Sequence, residues 1–257
     1  MRILKEIDTY LEDRDYENEA SKVRKSHHPS EVSACNRAIY YRWTKAPITN
    51  PRNAESIWRM EMGKAVELLA VGYLKGMGYE VIEQEEVTIE ASPLIHPVHG
   101  YIDITIQTVD GLHRAEVKTT WGQGTKAIQY NGPQKEHVEQ AMCYMIDKGI
   151  NVYNMIYIAR DTLWRSEFVI KKTQWELDNF RAHMISKFAH IESCVDEKVM
   201  PPRDFSAIVA DGEVKATIQR NGVKYKSDWN CLYCVRRDLC YANERESFGL
   251  YLPEVRG

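Results

Sequence analysis

Residues 99–120, "HGYIDITIQTVDGLHRAEVKTT", contain the two segments that decide the fold. Isoleucines alternate with polar residues in the first segment, and this period of two predicts a strand with one apolar face. The Asp-Gly pair at 110–111 is typical of a tight hairpin turn. A second strand, "HRAEVKTT" at 113–120, is therefore expected to pair with the first, with Glu116 and Lys118 on its outward face.

The rest of the chain alternates between helical and strand periodicity. Helices are expected at the N-terminus and over 31–43, 54–77, 133–149 and 173–195. Strands are expected over 152–159 and 165–171, and a strand or hairpin over 79–91. A loop is expected around Gly122 and Gly124, and turns with a hairpin in 200–227. The sequence thus predicts an α/β fold with a small mixed central sheet flanked by helices.

The composition is that of a soluble globular protein, with 257 residues of which 44% are hydrophobic and 28% charged. We expect no membrane segment, because no apolar run approaches ~18 residues, and the acidic N-terminus does not resemble a signal peptide, so the expected location is cytoplasmic. The net charge of −3 argues against a protein that coats nucleic acid through bulk charge. Basic clusters at 22–28, 36–42 and 234–238 still allow a local basic groove.

Two carboxylates and a lysine meet on the two strands of the opening stretch. Asp103 lies on the polar face of the first strand, and Glu116 and Lys118 share a face of the second. Two carboxylates ~5 Å apart repel by roughly 3 kcal/mol at an effective dielectric near 20, and a divalent cation relieves that repulsion. Mg²⁺ prefers such oxygen ligands, and a metal-held water near a lysine suits attack on a phosphodiester.

The E-x-K pattern alone is weak, because solvent-facing strands often carry it. The chain has a second copy, Glu213 and Lys215, which lies between turn signals and which we interpret as a surface charge pair. The first copy differs, since a helix carrying Gln140 and Tyr144 on one face follows it. An earlier helix carries Glu67 in "GKAVE", which adds a third candidate carboxylate.

Three of the six cysteines lie close together in "WNCLYCVRRDLCY", residues 229–241. Cys231, Cys234 and Cys240 have the spacing C-x2-C-x5-C, whereas a thiolate site needs four ligands. A zinc ribbon usually has two C-x2-C pairs, so the spacing fits zinc poorly, but four thiolates suit either zinc or an iron–sulfur cluster. Cys143 and Cys194 lie in predicted helices and are expected to be core residues.

Four short motifs occur in a characteristic order: G-x3-E at 63–67, G-x-x-D at 100–103, E-V-K at 116–118 and Q-x3-Y at 140–144. Together they resemble the RecB-like branch of the PD-(D/E)XK nuclease superfamily. With the cysteines they resemble its iron–sulfur subfamily, which includes the CRISPR-associated RecB-like exonucleases and related phage and bacterial nucleases. The resemblance covers about residues 28–245 and implies a restriction-endonuclease-like core.

The resemblance assigns roles to individual residues. The implied Mg²⁺ or Mn²⁺ ligands are Glu67, Asp103, Glu116 and the carbonyl of Val117. Lys118 would orient the attacking water or stabilise developing charge, and Gln140 and Tyr144 would hold the DNA or the lysine. The implied ligands of a 4Fe-4S cluster, which would join the N- and C-terminal segments, are Cys35, Cys231, Cys234 and Cys240. The CRISPR-associated members usually have His where this chain has Glu67.

The resemblance also implies a domain plan and an activity. The plan is an N-terminal helical extension at 1–27, a nuclease domain at 28–245 and a tail at 246–257. The implied function is a metal-dependent DNA exonuclease that hydrolyses single-stranded or end-frayed DNA in recombination, repair or phage DNA metabolism. The alternatives are a CRISPR adaptation nuclease that processes spacer precursors, and a non-catalytic DNA-end-binding module.

The expected partner is DNA. The chain contains no G-x4-G-K-[ST] phosphate loop, so unwinding is assigned to a helicase or recombination partner or to a frayed end. Aromatic residues can stack on unpaired bases and arginines can follow the phosphate backbone. The residues we expect to contact nucleic acid are Arg37, Tyr40, Arg42, Trp121 and Arg236.

Overall fold

A computed structural model of the protein describes residues 2–220, 222–244, 246–247 and 250–252. The helices are α1 (Ile3–Ser21), α2 (Asn36–Trp43), α3 (Ala54–Gly76), α4 (Gly122–Asn131), α5 (Lys135–Lys148), α6 (Gln174–Asp196), α7 (Trp229–Leu232) and α8 (Arg237–Tyr241). The strands are β1 (Glu80–Ile89), β2 (Val98–Thr108), β3 (Gly111–Thr120), β4 (Val152–Ala159), β5 (Arg165–Lys171), β6 (Ile208–Ala210), β7 (Glu213–Lys215), β8 (Thr217–Arg220), β9 (Val223–Lys226) and β10 (Leu250–Leu252). None of the described helices is long and apolar enough to cross a membrane.

The chain forms two compact units. The first, here called the sheet unit, consists of Lys25–Ser33 and Trp58–Glu192. The second, here called the terminal unit, consists of the described residues up to Arg24, Ala34–Ile57 and the described residues from Ser193 onward. The described segments near both chain ends therefore belong to the same unit.

The sheet unit is built on a five-stranded sheet in the order β1-β2-β3-β4-β5. β3 and β4 run parallel, and the other neighbouring strands run antiparallel. The predicted mixed central sheet flanked by helices is therefore confirmed. In β4, every second residue from Tyr153 to Ala159 is fully buried. This is the period of two that a strand with one buried face requires.

The glycine of G-x-x-D has a packing role. A Cβ added at Gly100 would lie 2.8 Å from Cγ and Cδ of Pro29, which is closer than carbon atoms can pack. Pro29 belongs to a 3₁₀ turn, Pro29–Glu31, and His27, two residues before it, bridges to Val98 at the start of β2. The glycine thus allows this turn to lie directly against the strand that carries Asp103.

The loop expected around two glycines is instead a helix, α4. Both glycines fall in its first turn, and Gly122 takes a left-handed φ of 51°. The backbone N–H of Gly122 is bonded 2.8 Å from Oδ2 of Asp161, and Thr125 and Ile128 are buried. Burial of one helical face and this carboxylate contact offset the low helix propensity of glycine.

The terminal unit contains α1, α2 and short hairpins. β6 pairs with β7, and β8, β9 and β10 form a three-stranded sheet, so the turns and hairpin expected in 200–227 are present. A small apolar core joins the hairpins to the cysteine segment through Ala207, Val209, Cys231 and Tyr241. Arg52 forms an ion pair with Asp15 on α1, with 2.9 Å between Nη1 and Oδ2.

Candidate metal centre and cysteine cavity

Asp103 lies where the sheet loses its regular pairing. β1 pairs with β2 on both sides of Gln84 and Asp103 but not at these two residues, and the pairing of β2 with β3 ends at Ile104 and Ala115. Beyond Ala115, β3 pairs only with β4. In place of a ladder bond, Oδ2 of Asp103 accepts a hydrogen bond of 2.8 Å from the N–H of Val117. The Asp103 carboxylate therefore bridges the gap between β2 and β3.

Glu116 is buried at this gap, with 3% of its surface exposed. Its Oε1 accepts hydrogen bonds from Nζ of Lys118 at 2.7 Å and from Nε2 of Gln140 at 2.8 Å. The expectation that Glu116 faces solvent is wrong, because the side chains of Gln140 and Tyr144 on α5 cover that face of the sheet.

Gln140 connects the members of this network. Its Oε1 accepts a 3.1 Å hydrogen bond from Lys118, and its Nε2 also lies 2.6 Å from the Tyr144 hydroxyl. Lys118 is thus held by two acceptors, Glu116 and Gln140. The residues of E-V-K and Q-x3-Y, matched from sequence alone, form one hydrogen-bonded group.

Glu67 approaches the same group from α3. Its Oε1 accepts a 2.6 Å hydrogen bond from Nε2 of Gln84, the β1 residue that stands opposite Asp103 and has a left-handed φ of 52°. Burial, and next the negative charge of Asp103, raise the pKa of Glu67. Lys118 also acts on Glu67 and lowers its pKa. All three candidate carboxylates therefore interact through space with the same lysine.

The donor set fits a hard divalent cation. Each carboxylate has one oxygen held by the bonds above, and the other oxygen of Asp103, Glu67 and Glu116 makes no hydrogen bond to a described residue. Oε2 of Glu116 is buried as well as unpartnered, and such an atom loses its hydration without compensation. The described residues contain no group of three or more His, Cys, Asp or Glu arranged to hold a metal ion.

The electrostatics show that the carboxylates repel one another. Burial, and then the charge of Glu116, raise the pKa of Asp103 from 3.8 to about 7. Burial also raises the pKa of Glu116, against the opposing effect of Lys118. Burial alone would lower the pKa of Lys118, but Glu116, Asp103 and Glu67 outweigh it and raise that pKa. Lys118 is therefore protonated and can donate hydrogen bonds but cannot serve as a base.

Two residues near the Glu116–Lys118–Gln140 network were not identified from the sequence. His137 lies one turn before Gln140 on α5, and its Nδ1 is 2.7 Å from the Tyr157 hydroxyl. Burial, and then the charge of Lys118, lower the pKa of His137 to about 3, so this imidazole is neutral. The spacing H-x2-Q-x3-Y places it on the same helical face and could have identified it.

Tyr153 is the second missed residue, and it lies on an inward position of β4. Its hydroxyl is buried and has no hydrogen-bond partner among the described residues. Burial raises its pKa, and Glu116 raises it further. The observed alternation of β4 turns Tyr153 inward, but Glu116 lies on a different strand, so no local sequence signal connects the two residues.

The second E-V-K copy behaves as a surface pair. Glu213 and Lys215 lie on the short strand β7 and bond to each other. The Glu213 side chain is 73% exposed, in contrast to the burial of Glu116. The same three residue types thus form a solvated charge pair in one place and a buried network in the other.

Four cysteines line one small cavity in the terminal unit: Cys35, Cys231, Cys234 and Cys240. Arg37, Arg203 and Arg237 line it as well, and Nη1 of Arg37 lies 3.8 Å from Sγ of Cys240. Four soft sulfur donors beside guanidinium groups suit an iron–sulfur cluster, whose thiolates and sulfides carry net negative charge. Cys143 and Cys194 lie elsewhere and are buried, as expected.

Three thiols of this cavity, those of Cys231, Cys234 and Cys240, have raised pKa values. Burial raises the pKa of Cys231 to about 11, and the charge of Cys35 adds to that effect. Burial likewise raises the pKa values of Cys234 and Cys240, although Arg37 opposes the effect at Cys240. A metal or cluster would have to displace the thiol protons, which links its binding to pH.

The residues expected to contact nucleic acid occupy several places. Arg42 and Arg236 line a basic pocket in the terminal unit, and Arg37 lines the cysteine cavity. Tyr40 is buried against Tyr41 and Cys194, so stacking on a base would require this packing to open. Trp121 of the sheet unit is 52% exposed, and the guanidinium of Arg59 lies 4.6 Å from its ring centroid.

Comparison with solved structures supports the mixed α/β fold described above. The chain resembles "Crystal structure of SSO0001" with a TM-score of 0.56 and 16% sequence identity, over 92% of this chain and 96% of that chain. It also matches an alkaline exonuclease, LHK-Exo from Laribacter hongkongensis, with a TM-score of 0.49 and 13% identity over 72% of this chain and 95% of that chain. LHK-Exo in complex with dAMP matches with the same TM-score and 14% identity over 72% and 95%. At this TM-score the exonuclease match supports no functional assignment. No protein-family model and no curated protein matches the chain.

Replacing Asp103 by Asn should stabilise the metal-free protein at alkaline pH. The pKa of about 7 in the folded state exceeds the ordinary 3.8, so native Asp103 binds a proton that the unfolded chain releases. Folding stability therefore falls as pH rises from about 4 to about 7. Denaturant unfolding should show Asp103→Asn more stable than the wild type by about 2–4 kcal/mol at pH 8, with a smaller difference at pH 5.

Asp110→Asn in the exposed β2–β3 turn is the matched control and should leave the pH profile unchanged. A wild type whose stability is equal to that of Asp103→Asn at both pH values would show that the Asp103 carboxylate is not strained by its neighbours.

Proposed function

We propose that this protein is a metal-dependent deoxyribonuclease that acts as an exonuclease on single-stranded or end-frayed DNA in recombination, repair or phage DNA metabolism. The observation that carries the proposal is the buried Glu116 carboxylate, which accepts a hydrogen bond from a protonated Lys118, repels Asp103 and has one oxygen unpartnered. A structural ion pair would satisfy both oxygens, because leaving one unpaired costs stability. A site that binds a cation and an anionic substrate accounts for the unpaired oxygen.

Mg²⁺ or Mn²⁺ would be held by Glu67, Asp103, Glu116 and the carbonyl of Val117. When bound, such an ion polarises a phosphoryl oxygen and lowers the pKa of an attached water. The protein supplies the placement: the Val117 N–H fixes Asp103, and Gln84 fixes Glu67. Each carboxylate is thereby oriented before an ion arrives, which reduces the ordering cost of binding it.

Lys118 provides positive charge at the reacting phosphate. Its raised pKa keeps it protonated, so it donates hydrogen bonds to the charge that develops on the phosphoryl oxygens. Gln140 holds both Lys118 and Glu116, and Tyr144 holds Gln140. Gln140 and Tyr144 are therefore positioning residues that act through Lys118.

A 4Fe-4S cluster held by Cys35, Cys231, Cys234 and Cys240 is the second part of the proposal. The four cysteines come from two segments separated by 196 positions, and both segments belong to the terminal unit. Binding at such a site contributes to folding free energy because the unfolded chain has no preformed site. The proposed role of the cluster is therefore structural, and it would fasten α2 to the C-terminal cysteine segment.

Lys118→Ala should strongly lower metal-dependent nuclease activity. Loss of a preorganised cation at the phosphate should lower the rate about 10²- to 10³-fold. The assay is release of nucleotides from end-labelled single-stranded DNA with Mg²⁺ or Mn²⁺. Lys215→Ala, in the second E-V-K copy, is the control and should retain full activity.

Equal digestion by wild type and Lys118→Ala would refute the active-site assignment. A wild type that binds DNA but releases no nucleotides with either ion would favour a non-catalytic DNA-end-binding module.

Protein purified without oxygen should be brown, with iron and acid-labile sulfide in equal amounts. Cys231→Ala should lose the visible absorbance and much of its thermal stability, because the cluster would fasten two segments of the terminal unit. Cys194→Ala, a buried cysteine that does not line the cavity, should keep the colour. Colourless protein with stoichiometric zinc would contradict the iron–sulfur assignment.

A further inference from the structure

The terminal unit contains a pocket of about 150 Å³ that is distinct from the cysteine cavity. Five cationic side chains and one carboxylate line it: Lys22, Arg24, Arg42, Lys45, Arg236 and Glu19. The chain as a whole has a net charge of −3, so this excess of positive charge is local. Like charges confined in a pocket repel one another, and an anion bound among them would lower that energy.

Arg236 forms a fixed wall of the pocket. It is 4% exposed, its Nη1 donates a 2.9 Å hydrogen bond to Oε1 of Glu19, and its Nε donates a 3.0 Å bond to the carbonyl of Ala46. A buried guanidinium held by two acceptors keeps its planar group in one orientation. The pocket is therefore preorganised before any ligand enters.

Glu19 does not neutralise the pocket. Burial would raise its pKa, but the hydrogen bond from Arg236 and the charges of Arg42 and Arg52 outweigh burial and lower the pKa. Glu19 is thus ionised, and a single negative charge faces five positive side chains. Its main effect is to orient Arg236.

Lys22 and Lys45 stand at the exposed margin of the pocket. Lys22 directly follows α1, and Lys45 follows α2 with a left-handed φ of 52°. Neither lysine forms an ion pair with a described residue. Long, solvated lysines around a fixed arginine are the arrangement that attracts a phosphate and then holds it.

We propose that this pocket binds a phosphate group of a nucleic-acid strand. A volume of about 150 Å³ accommodates a phosphate with part of its sugar. Arg236 supplies directed N–H donors, and the lysines supply charge that is independent of base sequence. Phosphate as the ligand chemistry follows from the pocket alone, whereas nucleic acid as its source rests on the proposed nuclease function.

The test is DNA binding in buffer free of divalent cations, so that cleavage does not enter the measurement. Fluorescence anisotropy would follow single strands of about 20 nucleotides that carry a 3′ label and either a 5′ phosphate or a 5′ hydroxyl. The pocket variant is Lys22→Gln with Lys45→Gln. The control is Lys5→Gln with Lys224→Gln, which removes the same charge from exposed positions of the same unit.

The pocket variant should bind DNA about five- to tenfold more weakly than the control. The slope of log affinity against log salt should also decrease in magnitude by about 1. A loss seen only with 5′-phosphorylated DNA assigns the pocket to a strand end, and an equal loss with both strands assigns it to an internal phosphate. Inorganic phosphate should compete with DNA for the wild type more strongly than for the pocket variant.

Equal affinities and equal salt slopes for the pocket and control variants would overturn the proposal. The Lys118→Ala digestion assay is separate from this one. If Lys118→Ala digests DNA as fast as the wild type but the pocket variant binds DNA more weakly than its control, the active-site assignment is wrong and the phosphate site stands. If Lys118→Ala loses digestion but the pocket and control variants bind DNA equally, the phosphate site is wrong and the active-site assignment stands.

Discussion

Burial of the Glu116 carboxylate beside a second carboxylate is the constraint on which the sheet unit depends. A buried charge is costly unless it is paired and hydrogen-bonded. Lys118 and Gln140 satisfy one oxygen of Glu116, and the other remains unpaired. Asp103 is a second carboxylate, and burial, followed by the charge of Glu116, raises its pKa to about 7. The sheet unit thus holds an excess of negative charge that a divalent cation would neutralise.

A break in strand pairing accompanies this arrangement. A continuous antiparallel ladder through β2 and β3 would pair Asp103 with Glu116, one step beyond the pair Ile104 and Ala115. The ladder instead ends at Ile104 and Ala115, and the Asp103 carboxylate takes the N–H of Val117. On the other side, the left-handed residue Gln84 interrupts β1 and reaches Glu67. Irregular backbone at this point therefore serves the placement of three carboxylates.

The sequence predicted those parts that follow from local pattern. Alternation located β4 and β5 at their observed bounds, and the capping signal before α6 placed its start within two residues. The order of the motifs also singled out Glu116, Lys118 and Gln140, which are hydrogen-bonded to one another in the structure. The sequence does not predict the features that tertiary packing determines. The burial of Glu116 by α5, the helix that begins at Gly122 and the left-handed conformation of Gln84 have no local signal. The basic clusters were visible as composition, but only the fold joins Glu19 on α1 to Arg236.

In the terminal unit, the cysteine cavity and the basic pocket are both lined by residues of one short segment, 231–237. Arg236, the wall of the basic pocket, lies two residues after Cys234 of the cysteine cavity. The side chain of Asn50 bonds to the carbonyls of Leu232 and Cys234, and the backbone of Thr49 bonds to that of Val235. These bonds fix the turn that carries both Cys234 of the cysteine cavity and Arg236 of the basic pocket. The cysteine cavity and the basic pocket therefore share one hydrogen-bonded segment.

The most direct test of the central claim is the unfolding midpoint at pH 8 with and without Mn²⁺, for the wild type and for Glu116→Gln. If the carboxylates form a cation site, saturating Mn²⁺ should raise the wild-type midpoint by about 5 °C or more. Glu116→Gln, which keeps the shape but removes a charge, should show little or no rise. No rise in the wild type, or an equal rise in both proteins, would contradict the account.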